Sequence, residues 1–412
     1  MAVVGKPMDG TASSVSRTLA AAGAFLVVAL VIFGAALISA PTRAVRIFPL
    51  PTYVREALGS GIWFILAGAL LAALVGAVAA VMVYRVWPHR ARRGEMLAGY
   101  LFLAPYLIIT LIFTVGVLLF ALYISFHEYN LFNEPAFIGL QNYARSFATR
   151  DFIQSLHNVA WYAIIVTVVQ TSLALLLAVF LNSKIRGQRT FRTIFYLPSV
   201  TSSVVISMIF WWLYLRTGYL NYFLENLLGL VGIDFTRVEW LNNPRGLIQL
   251  IVSAFGGNIP SSQWYLRGPS VTLMALMFQN IFTTIPTFML MFLAALQDVP
   301  GSVYEAADID GANARQKLFR ITIPMLRPAI LLVVVLGTIG TLQIFDQVKI
   351  LTSGGPLGTT LTPVYMIYRE ALGTQGGIQM GYAAGMAFIL AVIIFLFTFV
   401  QRRFIERGTE SY

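Results

Sequence analysis

Eight stretches of this chain run for about 20 residues or more with scarcely a charge: 19–40, 61–84, 97–126, 159–181, 194–215, 271–296, 328–352 and 380–400. A helix needs roughly 20 apolar residues to cross the hydrocarbon core of a bilayer. Inside lipid the backbone must satisfy its own hydrogen bonds, so runs of this length are helices. A transmembrane barrel would need shorter segments of alternating polarity, and the sequence has none. With 58% hydrophobic and 11% charged residues, the solvent for most of the chain must be lipid. The expected fold is therefore an all-α membrane protein with eight transmembrane helices.

Orientation follows from lysine and arginine. With a cytoplasmic N-terminus, the segments 1–18, 85–96, 182–193, 297–327 and 401–412 lie inside: 85 residues carrying 17 basic ones. The outer segments 41–60, 127–158, 216–270 and 353–379 total 134 residues and carry 10. The inner clusters Arg85, Arg90, Arg92, Arg93 and Lys184, Arg186, Arg189, Arg192 abut helix ends, where the positive-inside bias acts. Both termini are expected inside. The first run has an apolar core of about 22 residues, beyond a signal peptide's h-region, and reads as a retained anchor. The tail 1–18 before it reads as disordered.

The net charge of +11 lies in these short loops and marks membrane orientation, not a nucleic-acid groove. There is no cysteine, which excludes disulfides, thiolate metal sites and a cysteine nucleophile. His89, His127 and His157 have no metal-ligand spacing. No Gly-x-x-x-x-Gly-Lys-Ser/Thr loop occurs, so any nucleotide chemistry belongs to another chain.

The inner segment 297–327 is the longest cytoplasmic connection and has helix signals of its own. Ser302 and Glu305 stand at capping-box spacing, which predicts a helix starting at Ser302. Ala306, Ala307, Ile309 and Ala312 favour a short helix, and Gly311 permits a turn or a close backbone approach. Pro324 and Pro328 suit the start of the next helix. Such a segment either links two spans or transmits force to a cytoplasmic partner.

Here the sequence resembles a known family. Glu305-Ala306-Ala307, Gly311 after three residues, and Ile321-x-Ile323-Pro324 after nine more look like the EAA signature of binding-protein-dependent ABC permeases, with Ile323 where leucine is usual. The resemblance extends over 97–407: Phe191-Arg192, Leu197-Pro198, Thr352-x-Gly354-Gly355-Pro356 and Gly381-Tyr382-Ala383-Ala384 are similar to family segments. It is nearest the sugar subgroup with the maltose-type and glycerol-phosphate-type permeases. It implies two extra helices within 19–96 ahead of a six-helix type I importer core at 97–407. The loop would form a coupling helix, with Glu305, Ala306, Ala307, Asp310 and Gly311 at an ATPase. The implied partners are an ABC ATPase dimer that binds ATP and magnesium, a second EAA-type permease and a solute-binding protein. The implied location is a bacterial or archaeal cytoplasmic membrane. This chain itself would be neither an enzyme nor a cofactor carrier. The segment 216–270 is longer than the resemblance leads one to expect. Its uncharged piece Gly246–Gly256 is too short for a ninth span and reads as interfacial or re-entrant.

Solute sites in transporters lie near the bilayer midplane among polar side chains. Counting to the middle of the core spans gives Gln170 and Thr171, Ser202 and Ser203, Thr283, Thr284 and Thr287, and Thr338 and Thr341. By resemblance, sugar contacts fall at Ser199, Ser203, Thr283, Thr284, Thr287, Gly337, Gly340, Thr341 and Ile344. Hydroxyls and amides suit a neutral polyol, whereas a phosphate ester asks for a cation. The alternative is that these small residues only let helices pack closely. Asp346, 18 residues beyond Pro328 and about 27 Å along a helix, falls near the outer interface, where an outer-gate or structural role is expected in place of a proton relay. An ion-coupled secondary transporter would show inverted repeats and acids at depth. An intramembrane enzyme would show paired catalytic groups at one depth, and neither pattern is present.

The orientation is open to direct test, because the chain has no cysteine of its own. A cysteine replacing Arg90 should react with impermeant maleimide only from the cytoplasmic side, and one replacing Phe235 only from the outside. The reverse labelling overturns the topology.

Overall fold

The structure, a computed structural model, describes residues 102–107, 109–183, 186–373 and 377–406. The tail 1–18 and the first two apolar runs, 19–40 and 61–84, lie outside the described residues. The chain divides into two units, Met1–Tyr123 and Ile124–Tyr412. The described part of the first belongs to one apolar helix, α1 (Phe102–Ser125), which is π-helical over Leu111–Gly116.

In the second unit a two-residue hairpin, His127–Glu128 with Ala136–Phe137, precedes α2 (Gln141–Ala148) and α3 (Arg150–Asn182). Then come α4 (Gln188–Val200), α5 (Ser203–Leu213), α6 (Tyr219–Gly229), α7 (Leu247–Ala254) and α8 (Val271–Gln297). Three short helices follow, α9 (Gly301–Ile309), α10 (Ala314–Lys317) and α11 (Ile323–Met325). The last are α12 (Arg327–Leu342), α13 (Pro363–Leu372) and α14 (Met380–Glu406). Among the described residues, four helices, α1, α3, α8 and α14, are long and apolar enough to cross a membrane. Two bent pairs raise the number to six if each pair is one span.

Those bends change two expected spans. The run 194–215 is not one helix: α4 and α5 meet at 95°. Pro198 lies inside α4 and cannot donate to the preceding turn. The Ser199 hydroxyl donates to Tyr196 O at 2.8 Å and that of Thr201 to Leu197 O at 3.0 Å, a back-bonding that bends helices. The run 328–352 is not one helix either. The segment Ala314–Met325 turns by 72° into α12, and α12 ends at Leu342. The Thr362 hydroxyl takes the Ile344 carbonyl at 3.2 Å just past that end. Asp346 therefore lies beyond the end of α12 and not along it.

The packing axis is α3. Its buried positions include Phe152, Val159, Tyr162, Val166, Gln170, Ala174, Ala178 and Leu181, the stripe expected of a helix covered on one side. The upper part of that stripe joins Leu273, Leu276 and Met277 of α8 with Leu342, Met366 and Met386. The lower part, from Ala174 on, joins Met289, Phe292 and Leu296 of α8 with Leu326 and Val333. Between the two apolar clusters lie Thr167, Gln170 and Thr171, all buried.

The sequence motifs earn their glycines here. A Cβ on Gly381 would stand 2.0 Å from His127 O, so only glycine lets α14 start against that backbone. Tyr382 then lies under the Arg145 guanidinium at 4.2 Å and donates to the Thr149 hydroxyl at 3.2 Å. The turn after Thr352 is tied to α3 by Asn158, whose amide donates to Gly358 O and Leu361 O, both at 2.9 Å. Asn158→Leu removes the side-chain donor from both carbonyls, and although Leu361 N still serves Gly358 O at 3.1 Å, the loss at Leu361 O should cost about 1–3 kcal/mol of stability. Thermal unfolding of the purified protein reads this, and an unchanged midpoint rejects the clamp.

Candidate functional site

Two regions carry the chemistry named from the sequence, and α8 connects them. The first is the hairpin after α8. The expected capping box at Ser302 and Glu305 does not form. Pro300 is the N-cap of α9, with an extended backbone at ψ +130°, and Ser302 already lies inside the helix. A reciprocal box forms further on: Gln316 N donates to Asn313 Oδ1 at 2.9 Å, and Asn313 N to Gln316 Oε1 at 2.8 Å.

The end of α9 explains Gly311. Its φ is +74°, Ala312 N donates to Ala307 O at 2.9 Å, and Gly311 N donates to Asp308 O at 3.1 Å. This pair of bonds is the Schellman closure, which wants glycine in the left-handed region. A Cβ there meets nothing within 4 Å, so backbone conformation, not crowding within this chain, sets the requirement. The hairpin is braced by the Lys317–Asp308 ion pair and by Tyr304 Oη to Thr322 Oγ1 at 3.0 Å. Glu305, Ala306, Asp310 and Gly311 are exposed, and Ala307 is buried underneath. Ile309 is 87% exposed at the end of the helix.

The second region is the polar layer between the two apolar clusters. Gln170 of α3 is 1% exposed. Its Oε1 accepts from the Thr284 hydroxyl of α8 at 2.7 Å. That hydroxyl also lies 2.8 Å from Asn280 O, so one proton serves two acceptors. The Gln170 amide lies against Gly337 of α12, where a Cβ would sit 2.5 Å from Nε2. Thr167 and Thr341 join α3 to α12 at 3.4 Å. Gln279 donates to Ser207 of α5, and Gln401 of α14 to Thr338 of α12, both at 2.8 Å. Three glutamines thus each span two helices, α3–α8, α8–α5 and α14–α12. Each keeps one buried amide atom without a partner among the described residues: Gln170 Nε2, Gln279 Oε1 and Gln401 Oε1.

The structure brings some of the named residues together and separates others. Thr284 and Thr341 belong to this layer, with Thr341 buried and Thr284 half-buried. Thr283 bonds back to the Gln279 and Asn280 carbonyls, and Thr287 is exposed one turn further on. Ser203 starts α5 half-buried, and Ser199 sits on α4 across the 95° bend. Counting to mid-span found Gln170 but passed over Gln279, Asn280, Ser207 and Gln401. The signal was available: an amide inside an apolar run is expensive unless a neighbouring helix receives it. Gln401 escaped because the last helix was counted as ending at residue 400, whereas α14 continues to Glu406.

A comparison with known proteins places this geometry. Residues 170–409 match the family described as binding-protein-dependent transport system inner membrane component. Similar relatives include the probable ABC transporter permease protein YesP of Bacillus subtilis, 35% identical over 76% of this chain and 91% of that one. The arabinooligosaccharides transport system permease protein AraP of Halalkalibacterium halodurans is 31% identical over 75% of this chain and 87% of its own. The lactose transport system permease protein LacF of Rhizobium radiobacter is 31% identical over 74% of this chain and 92% of its own. Among solved structures, a bacterial ABC transporter that imports the acidic polysaccharide alginate has the same fold, with a TM-score of 0.59 at 21% identity. The match covers 77% of this chain and 98% of that one. The chain belongs to the binding-protein-dependent permease family: it is a multi-pass membrane subunit of an ABC importer, and the ATPase is a separate chain.

The polar layer predicts a measurable coupling. In a double-mutant cycle of Gln170→Met with Thr284→Val, the interaction should be about 0.6 kcal/mol and at most about 1.7, the range for interhelical bonds in membranes. Gly337→Ala drives its methyl into the amide and should abolish that coupling. A cycle with no measurable interaction rejects the bond.

Proposed function

We propose that this chain is one of two different EAA-type permeases in an importer for a neutral sugar or oligosaccharide handed over by a solute-binding protein. The observation that carries the reading is mechanical. One helix, α8, holds Thr284 in the polar layer and ends in the braced hairpin that exposes Glu305 and Gly311. From Thr284 to Gln297 is 13 residues, about 20 Å of helix, so movement at one end reaches the other without a loop between. In this reading Glu305, Ala306, Ala307, Asp310 and Gly311 dock in the ATPase that binds ATP and magnesium, and Ile309 adds apolar contact. Both termini are cytoplasmic in a prokaryotic inner membrane, and the six-helix core at 97–407 follows two further helices within 19–96.

Ser199, Ser203, Thr283, Thr284 and Thr287 then lie along the substrate path, with Thr341 behind them as support, since its hydroxyl is engaged within the bundle. The relatives favour a saccharide, their names giving arabinooligosaccharides and lactose. A second reading follows from the sn-glycerol-3-phosphate permease UgpA of Shigella flexneri, 28% identical over 74% of this chain. A phosphate would want an arginine or lysine at its site, and the polar layer offers only amides and hydroxyls, which favours the neutral solute.

Two variants separate coupling from passage. Thr287→Trp places an indole on an exposed face beside the polar layer without touching the Gln170 bond. It should abolish sugar uptake in proteoliposomes while assembly and basal nucleotide hydrolysis persist. Glu305→Ala should instead weaken ATPase docking by about 1.5–3 kcal/mol, lowering uptake and stimulated hydrolysis together. Normal uptake by Thr287→Trp rejects the path, and full coupled hydrolysis in Glu305→Ala rejects the docking role.

A further inference from the structure

We propose that 246–266 is an interfacial arm that lays one face of α7 into the lipid headgroup boundary at the N-terminal mouth of α8. The inference rests on α8 crossing the membrane, and not on which side that mouth faces or on what is transported. The segment 216–245 carries six charged residues, whereas 246–266 carries none, and Arg245 and Arg267 stand immediately at its two ends. With eight residues, α7 is about 12 Å long, far too short to cross.

The feet of the arm fix its place. Gly246 pairs with Ser270 in an antiparallel bridge, and Val271 N, the first residue of α8, donates to Arg245 O at 3.0 Å. A Cβ on Gly246 would stand 2.0 Å from Arg267 O, so the two feet touch backbone to backbone. The far turn, Ser261–Leu266, is held to α3: His157 packs edge-on against Trp264 at 5.2 Å, and its Nε2 lies 3.0 Å from Tyr265 O. The arm is thus tied to the N-terminal parts of two long apolar helices.

The outward face of α7 is apolar at helical spacing. Leu247, Ile251 and Phe255 follow at i, i+4 and i+8 and are 37%, 50% and 89% exposed. The adjoining face closes on the arm itself, Ile248 against Gly268 and Val252 against Gly257. The backbone is closed as well. Leu247 N donates to Pro269 O at 2.9 Å, and Ile248 N and Gln249 N donate to Arg267 O at 3.0 and 3.2 Å. At the other end Gly257 N donates to Val252 O at 2.9 Å. The first amides of a helix have no partner within it, and here protein carbonyls take three of them, as an apolar medium requires. Exposed Tyr265 and Leu266 add the residue types of a membrane-surface belt. A docking face for a soluble protein carries a polar rim. This one has no charge over its length, and the surface continuous with it is the bilayer that α8 enters.

The test uses the full chain with its ATPase in lipid nanodiscs, with single cysteines introduced as Ile251→Cys, Phe255→Cys and Thr236→Cys and labelled with a nitroxide. Collision rates with oxygen, which concentrates in lipid, and with a water-soluble nickel chelate are then compared. The oxygen-to-nickel ratio at 251 and 255 should exceed that at 236 several-fold, and the binding protein should not change it. A ratio equal to that at 236 puts the face in water and overturns the proposal. So does protection that appears only with the partner permease or the binding protein bound, since the face would then be a protein contact. Because 251 and 255 lie on one face, either variant alone decides the matter if the other fails to accumulate.

Discussion

A glutamine amide in the middle of a lipid-embedded bundle has no water to turn to, and Gln170 turns to Thr284. That contact fixes which faces of α3 and α8 meet, because only one rotation of each helix brings the amide and the hydroxyl to 2.7 Å. The apolar clusters then fall on either side of it. Phe152 to Val166 meets the early part of α8, and Ala174 to Leu181 meets the late part. Apolar packing alone is weakly directional in lipid, since acyl chains are as apolar as leucine. A polar rung between two greasy segments sets the register. Gly337 completes it by giving the amide room on the α12 side.

The same rung limits what the neighbouring hydroxyls can do. The Thr284 proton is shared between Gln170 Oε1 and Asn280 O, so only acceptor capacity is left on this oxygen. Thr341 contacts Thr167 and donates to Thr338 O, and is support for the layer. Thr287, one turn below Thr284, is the exposed member. The division between residues that hold the layer and residues that face outward follows from hydrogen-bond capacity and burial, not from residue type.

The hairpin after α8 follows a parallel logic at the other end of that helix. Its shape is decided by where the chain reverses: proline at the start, a Schellman closure at Gly311, a reciprocal box at Asn313 and Gln316, and an ion pair across the turn. The exposed Glu305 and Ile309 are carried by a short helix that these contacts hold in place. These contacts tie the short helix to the chain entering α12.

Much of this was written in the sequence, for a physical reason. Lipid forbids unsatisfied backbone, so uncharged runs of 20 or more residues declare helices, and the helix formers Ala306, Ala307 and Ile309 followed by Gly311 predicted a short helix and a turn. Gln170 and Thr284 were found by depth, because amides and hydroxyls stand out in an apolar run. Hydropathy does not register direction, however, so the bends at Thr201–Ser202 and at Leu326 and the end of α12 at Leu342 were invisible to it. They depend on which side chain takes each released carbonyl. Ser302 looked like a cap until Pro300 began the helix earlier. Gln279 and Gln401 became cross-links only once Ser207 and Thr338 stood opposite them. The sequence by itself determined which runs must be helical in lipid and which residues are costly there. Only the tertiary structure decided the partner of each costly residue, because a hydrogen bond between helices depends on their rotation and register, which no single run encodes.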